Sequence, residues 1–290
     1  MTQPLGSVLL ALADDELIIG HRHSEWTGWA PHIEEDIAFS SIAQDEIGHA
    51  NLFYSLLADV EGTTADQLAF ARQPADYTNA IICERSNGDW AFTIARHFLY
   101  EIAERIRLEA LSKSSHDPLA QVCEKLLREE RYHELHATAW FKRLATGPVE
   151  GRHQMAMALS ETLADAAGLF EPFSAESDAL SQGILPVASF ELMATWLEEA
   201  MSLIESEGLP VTIKEASDNT NFLPTSSGEL TTTPDNSEID QPKLVRDGGR
   251  WLLTGNLTGM GGRKGHHSPE FMSLWDDLTK TYREEPSATW

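Results

Sequence analysis

Two strings, Glu46-Ile-Gly-His49 and Glu130-Arg-Tyr-His133, each set a carboxylate and an imidazole three residues apart. On an α-helix that spacing puts both side chains on one face, a turn apart. Glu16 stands 30 residues before Glu46, and Glu101 stands 29 residues before Glu130. The chain reads as one unit written twice: a helix carrying a Glu, a turn, and a helix carrying Glu-x-x-His. Glu16, Glu46, His49, Glu101, Glu130 and His133 thus supply four carboxylates and two imidazoles from four helices. That is the donor set of a carboxylate-bridged two-metal site in a four-helix bundle. Such a mixture of oxygen and nitrogen donors suits iron, with manganese as the alternative. No separate catalytic acid, base or nucleophile stands out.

The elements that must position these residues show in the apolar periodicity. Phe39, Ile42, Glu46, His49, Phe53 and Leu56 form one stripe, and Leu126, Glu130, His133, Ala137, Trp140 and Leu144 another. Leu9, Leu12, Glu16 and Ile19 make a third; Ile94, Phe98, Glu101, Arg105 and Leu108 make the fourth. Each candidate ligand interrupts an apolar face. Buried carboxylates without compensating charge are costly, so the four need either metal ions or nearby guanidiniums. Arg96, Arg105, Arg107, Arg128 and Arg131 are the candidates for a metal-free, salt-bridged core. Glu104 competes with Glu101 for the third-helix position. A third string, Glu150-Gly-Arg-His153, has the right spacing but lies beside Pro148 and Gly151, and is set aside as a loop or helix-start coincidence.

Composition suggests a compact soluble protein, and 290 residues are enough to bury a substantial core as one or two domains. There is no run of eighteen apolar residues and no basic segment before the apolar start, so neither a membrane span nor a secretory signal is expected. Cys83 and Cys123 read as reduced core residues, which points to the cytoplasm. A formal charge of −25 argues against nucleic acid or an anionic membrane as partner. The acidity admits two readings, a salt-adapted surface or recruitment of a more basic subunit.

Helices are expected from Leu5 to His21, Ile33 to Val60, Asp89 to Lys113 and Asp117 to Leu144, with a short one near Ala65 to Ala71. Two more, Gln154 to Leu169 and Ser189 to Glu205, carry no candidate ligand. The expected architecture is all-α: a helical bundle over 1–206, a Thr/Ser/Asp/Pro-rich loop insertion over 207–250, and a C-terminal turn and helix over 251–290 that packs on the bundle. Ser268 before Pro269 reads as the cap of that last helix.

The run from Asp15 to Pro31, with Glu34-Glu-Asp-Ile-Ala-Phe39 and Gln44-Asp-Glu-Ile-Gly-His49, resembles the PaaC-type subunits of bacterial phenylacetyl-CoA epoxidases. So do Asn87-Gly-Asp-Trp-Ala-Phe-Thr-Ile-Ala-Arg96, Glu129-Glu-Arg-Tyr-His133 and Gly261-Gly-Arg-Lys-Gly-His-His267. The likeness covers residues 5 to about 205 and 251 to 290, sparing the insertion. It implies a ferritin-like four-helix bundle with additional C-terminal helices, and a multicomponent oxygenase that forms the ring 1,2-epoxide of phenylacetyl-CoA. It also implies two iron ions as cofactor and a homologous catalytic subunit that binds most of the phenylacetyl-CoA, with a small accessory subunit. NADPH, flavin and iron–sulfur are expected on a separate reductase, and nothing here resembles a nucleotide-binding glycine loop. In that family the PaaC-type chain is the structural partner, and some members have lost ligands; here all six positions remain. The residues themselves leave two alternatives: an independent di-metal protein (peroxidase, manganese catalase or iron store) and a metal-free scaffold.

Smaller features carry paired readings. His97, one turn before Glu101, is either a donor to that carboxylate or a packed histidine; His136, one turn past His133, reads mainly as a surface or interface histidine, with a supporting place behind the ligands as the alternative. Trp26 and Trp29 read as loop packing or interface anchors. Arg263, Lys264, His266 and His267 would meet either CoA phosphates or an acidic neighbour.

Overall fold

The computed structural model describes residues 3–212 and 242–286. Four long helices form the bundle: α1 (Gln3–Ser24), α2 (Ile33–Glu61), α5 (Trp90–Leu111) and α6 (Asp117–Ala145). Helix α1 packs on α2, α5 on α6, and α2 on α6. Two short helices, α3 (Ala65–Phe70) and α4 (Ile81–Glu84), lie in the crossover between the two pairs. Helix α7 (Val149–Ala166) covers α5 and α6, and α9 (Ser189–Ser206) covers α5, with short α8 (Glu176–Ser181) between them. Among the described residues the fold is all-α apart from one hairpin, and no helix is long and apolar enough to cross a membrane.

Local chemistry sets the helix ends. Glu34, Glu35 and Asp36 occupy the first turn of α2, where the helix dipole favours negative charge. Gly62 ends α2 in the left-handed conformation at φ 71° and returns its N–H to the Ala58 carbonyl. Asp89 Oδ1 caps α5 by accepting from Phe92 N at 2.8 Å. Helix α6 is capped by the His116 ring, with Pro118 in its first turn. Ser268 does hold the N-cap position of α10 (Pro269–Glu284), but its hydroxyl makes no capping bond and is buried without a partner.

Helices α1 and α2 approach each other closely at Gly20. A methyl group there would meet Ile47 Cγ1 at 2.9 Å and Glu46 Cβ at 3.0 Å, so the absent side chain sets how near α1 comes to a candidate ligand.

The apolar core falls into two clusters with a polar layer between them. Leu9, Leu12, Phe53, Leu57, Leu119 and Leu126 belong to one; Ile19, Phe39, Phe98, Ala137, Trp140 and Phe141 belong to the other. On α1, α2 and α6 the change of cluster falls where Glu16, Glu46–His49 and Glu130–His133 stand. The helix stripes therefore bring the interrupting residues to one level of the bundle.

Strands β1 (Lys243–Asp247) and β2 (Arg250–Thr254) pair antiparallel, with Gly248 and Gly249 both at positive φ in the turn. This hairpin crosses the 250/251 boundary expected from composition and leans on α9, where Trp251 N–H donates to Glu198. The rest of the expected insertion, residues 213–241, lies outside the described residues.

Candidate metal centre

Each of the four long helices delivers its predicted residues inward. Glu16 comes from α1, Glu46 and His49 from α2, Glu101 from α5, and Glu130 and His133 from α6; all six are buried. Among the described residues they make two donor groups, Glu16–Glu46–His49–Glu130 and Glu46–Glu101–Glu130–His133. Within each group the donor atoms lie within 4.8 Å of one another. Glu46 and Glu130 belong to both, which is the arrangement two bridging carboxylates require. The two imidazoles face each other with ring centroids 6.1 Å apart.

The unsatisfied polar atoms give the test of fit. Both oxygens of Glu16, Glu46, Glu101 and Glu130, and Nδ1 of His49 and His133, are buried and have no hydrogen-bond partner. Buried polar atoms are ordinarily paired, so this concentration of orphaned donors and acceptors at one point calls for a ligand. Close approaches without hydrogen-bond geometry connect them: His49 Nδ1 lies 3.0 Å from Glu130 Oε1, and His133 Nδ1 lies 3.4 Å from Glu130 Oε2.

Electrostatics point the same way. Burial, reinforced by the Glu46 carboxylate, pushes Glu16 well above the usual carboxylate range. Burial with Glu130 and Glu46 does the same to Glu101. Burial alone would lower the imidazoles, but the flanking carboxylates outweigh it, raising His49 to about 12 and His133 to about 11. Burial would raise Glu130, and its two histidine neighbours hold it below its ordinary value instead. The cluster lacks fixed positive charge, which favours protonation, and two divalent cations would supply that charge in the same place.

The guanidiniums that might have neutralised the cluster are engaged elsewhere. Arg107 bonds Asp15 at 2.5 Å and also Glu104. Arg105 turns outward to Glu134 and Glu109. Arg96 donates to the Arg85 carbonyl at 2.6 Å, and Arg128 and Arg131 are exposed. The geometry favours Glu101 over Glu104: Glu104 is also buried but is tied to Arg107 and joins neither donor group.

Two carboxylates behind the histidines escaped the sequence reading. Glu129 Oε2 lies 3.0 Å from His49 Nε2, and Asp45 Oδ2 lies 3.3 Å from His133 Nε2. Each contact crosses between α2 and α6, so the carboxylate beside one Glu-x-x-His orients the imidazole of the other. A signal was present: both motifs carry an acid immediately before the Glu, Asp45-Glu46 and Glu129-Glu130. With Nε2 occupied by a carboxylate, Nδ1 is left facing the buried carboxylates.

The paired readings resolve as follows. His97 does approach the ligand set, with Nδ1 3.0 Å from Glu101 Oε1. His136 is half-buried, 3.3 Å from His97 and 2.8 Å from Glu35. Glu150 and His153 occupy the exposed first turn of α7, which starts at Val149 despite Pro148 and Gly151. The basic C-terminal cluster serves acidic neighbours. Arg263 is buried on Asp15, Lys264 lies 3.3 Å from Glu171, and His267 lies 2.8 Å from Glu84. Close packing locks this segment down: a methyl group at Gly262 would collide with the Asn79 carbonyl at 2.1 Å.

A bundle of four long helices that gathers four carboxylates and two histidines at mid-height is a ferritin-like bundle. Within that class, the family model for the phenylacetic acid catabolic protein matches residues 1–221. The chain is also 32% identical over 214 residues to one of the subunits of the 1,2-phenylacetyl-CoA epoxidase of Escherichia coli (strain K12), covering 73% of this chain and 86% of that protein. The chain belongs to the phenylacetic acid catabolic protein family.

Proposed function

We propose that this chain is a subunit of a multicomponent oxygenase that epoxidises the aromatic ring of phenylacetyl-CoA, and that it holds two metal ions through Glu16, Glu46, His49, Glu101, Glu130 and His133. Its place is beside a homologous catalytic subunit, as structural partner with a complete ligand set. The observation that carries the metal reading is the pair of donor groups sharing Glu46 and Glu130, whose buried carboxylate oxygens make no hydrogen bond. The likeness to a component of the Escherichia coli epoxidase carries the enzyme reading. Iron is the metal we favour, with manganese second.

Iron ions bound here would supply the reduction of dioxygen. The protein's own part is to fix the donors and to exclude water. Glu129 and Asp45 hold the two imidazoles, and the apolar layers containing Phe53 and Leu126 on one side, Phe39 and Phe98 on the other, keep the level of the site dry. Phenylacetyl-CoA binds mainly to the catalytic partner, the assembly is completed by a small accessory subunit, and NADPH, flavin and iron–sulfur belong to a separate reductase.

Co-expression with a homologous ferritin-like subunit, followed by size-exclusion chromatography and elemental analysis, tests this reading. A stable heteromer with an interface above about 2,000 Å² is expected. A monodisperse monomer that ignores the second subunit would sink the assembly reading.

A further inference from the structure

On the Glu101 side of the metal centre the core is built of aromatic rings. His97, 3.0 Å from Glu101, meets the Phe39 ring at a centroid distance of 5.4 Å, and Phe39 meets Trp90 at 5.1 Å. Trp90 is a branch point. Trp140 lies edge-on to it at 5.2 Å, and Trp26 lies edge-on at 5.1 Å. Trp140 carries the exposed His32 ring stacked at 6.0 Å and the Arg143 guanidinium at 4.6 Å. An unbroken line of side chains therefore runs from a candidate ligand, through two rings, to three touching indoles and the surface.

Such spacings are ordinary for packed aromatics. Two details go beyond packing. The outer stations are all indoles, which give up single electrons far more readily than phenyl or aliphatic groups. Their N–H environments also differ: Trp90 Nε1 is buried without an acceptor, whereas Trp26 Nε1 donates to Thr93 Oγ1 at 3.0 Å. An oxidised Trp90 has nowhere to send its proton, so its positive charge is refilled from a neighbour rather than trapped.

We propose that Trp26, Trp90 and Trp140 form an electron-supply path that returns single electrons to the metal centre when an oxidant reaches it without substrate; the inference rests on the metal reading above. One electron leaves the Trp90 indole and reduces the oxidised centre by one unit. Trp140 or Trp26 then refills Trp90, and a thiol-class reductant in solution refills Trp26, the half-buried member of that pair. Hydrogen peroxide serves as the oxidant, each molecule taking two electrons and two protons to give two waters. Where no reductant is present, an indole that loses two electrons adds water, releases two protons and remains as hydroxytryptophan.

The test uses the full chain loaded anaerobically with Fe(II), its iron counted, then treated with hydrogen peroxide without thiol. Peptide mass spectrometry reads hydroxytryptophan at each position, with Trp29, 82% exposed, as the gauge of oxidation from bulk solvent. Trp90, Trp140 and Trp26 should be oxidised several-fold more than Trp29. This order should reverse in the iron-poor His49→Ala protein. Trp90→Phe should load iron normally yet bring Trp140 and Trp26 down to their iron-free level, whereas Trp140→Phe should leave Trp90 and Trp26 oxidised. Preferential oxidation of Trp29 in iron-loaded protein, or undiminished oxidation of Trp140 in Trp90→Phe, would overturn the path alone. Failure of the wild-type chain to take up iron would overturn the metal reading and the path with it.

Discussion

Arg263 reaches into the bundle from the C-terminal segment, and Arg263→Met tests how much of the fold depends on one buried ion pair. Its Nη1 donates to Asp15 Oδ1 at 2.8 Å and to the Thr78 carbonyl at 2.7 Å; its Nη2 donates to Asp15 Oδ2 at 2.7 Å and to the Leu169 carbonyl at 3.0 Å. Burial would raise the Asp15 carboxyl, and Arg263 with Arg107 holds it below the ordinary value. Removing one partner of such a pair leaves an uncompensated charge, a loss of about 3–5 kcal/mol. Arg107 remains on Asp15 at 2.5 Å, which favours the lower end, while the abandoned carbonyls push upward. At about 2–4 °C per kcal/mol for a chain of this size, the melting temperature should fall by about 6–20 °C. Circular dichroism melts and urea titrations of iron-free protein measure it. Asp15→Asn combined with Arg263→Met should lose less than the two single losses added together, because both remove the same contact. A single-variant loss below about 0.5 kcal/mol, or strict additivity, would refute the reasoning.

Three further outcomes are expected. Glu129→Gln should weaken Fe(II) binding about 10–100-fold in chelator competition, and Asp45→Asn should weaken it less, since its contact is 3.3 Å against 3.0 Å; unchanged affinity in both would remove their orienting role. Gly20→Ala should destabilise the protein by about 1–3 kcal/mol, because its methyl lands on Ile47 and Glu46. A wild-type melting curve for that variant would show that α1 can shift freely. His153→Ala should leave iron content untouched, as its imidazole stands exposed at the start of α7, and a loss of iron there would contradict the assignment of ligands.

The bundle and the convergence of the six side chains were legible because helical periodicity is local. A Glu-x-x-His on an apolar stripe announces both its helix and its inward face, and the near-equal spacing to Glu16 and Glu101 announces the duplication. What crosses between helices was not legible. Nothing in the spacing says that Asp45 serves His133 or that Glu129 serves His49, although the acid preceding each motif was there to be read. Arg263 looked like part of a basic patch because its partner, Asp15, lies 248 positions away. The β1–β2 hairpin was hidden by its neighbourhood: Asp247-Gly-Gly-Arg250 is a hairpin turn signal, but it follows a long polar stretch whose composition dominated the reading. Pro148 and Gly151 suggested a broken helix, yet a proline just ahead of the first turn starts one as readily as it ends one.

The central claim is that six side chains from four helices hold two metal ions, and anaerobic Fe(II) titration of the purified chain tests it most directly. Stoichiometry should approach two ions per chain, with about 3.5–4 Å between them by X-ray absorption. His49→Ala or His133→Ala should reduce the count, and His153→Ala should not. A wild-type chain that binds no iron or manganese after reconstitution, with Glu16, Glu46, Glu101 and Glu130 left protonated in a stable core, would contradict the account and make the chain a scaffold.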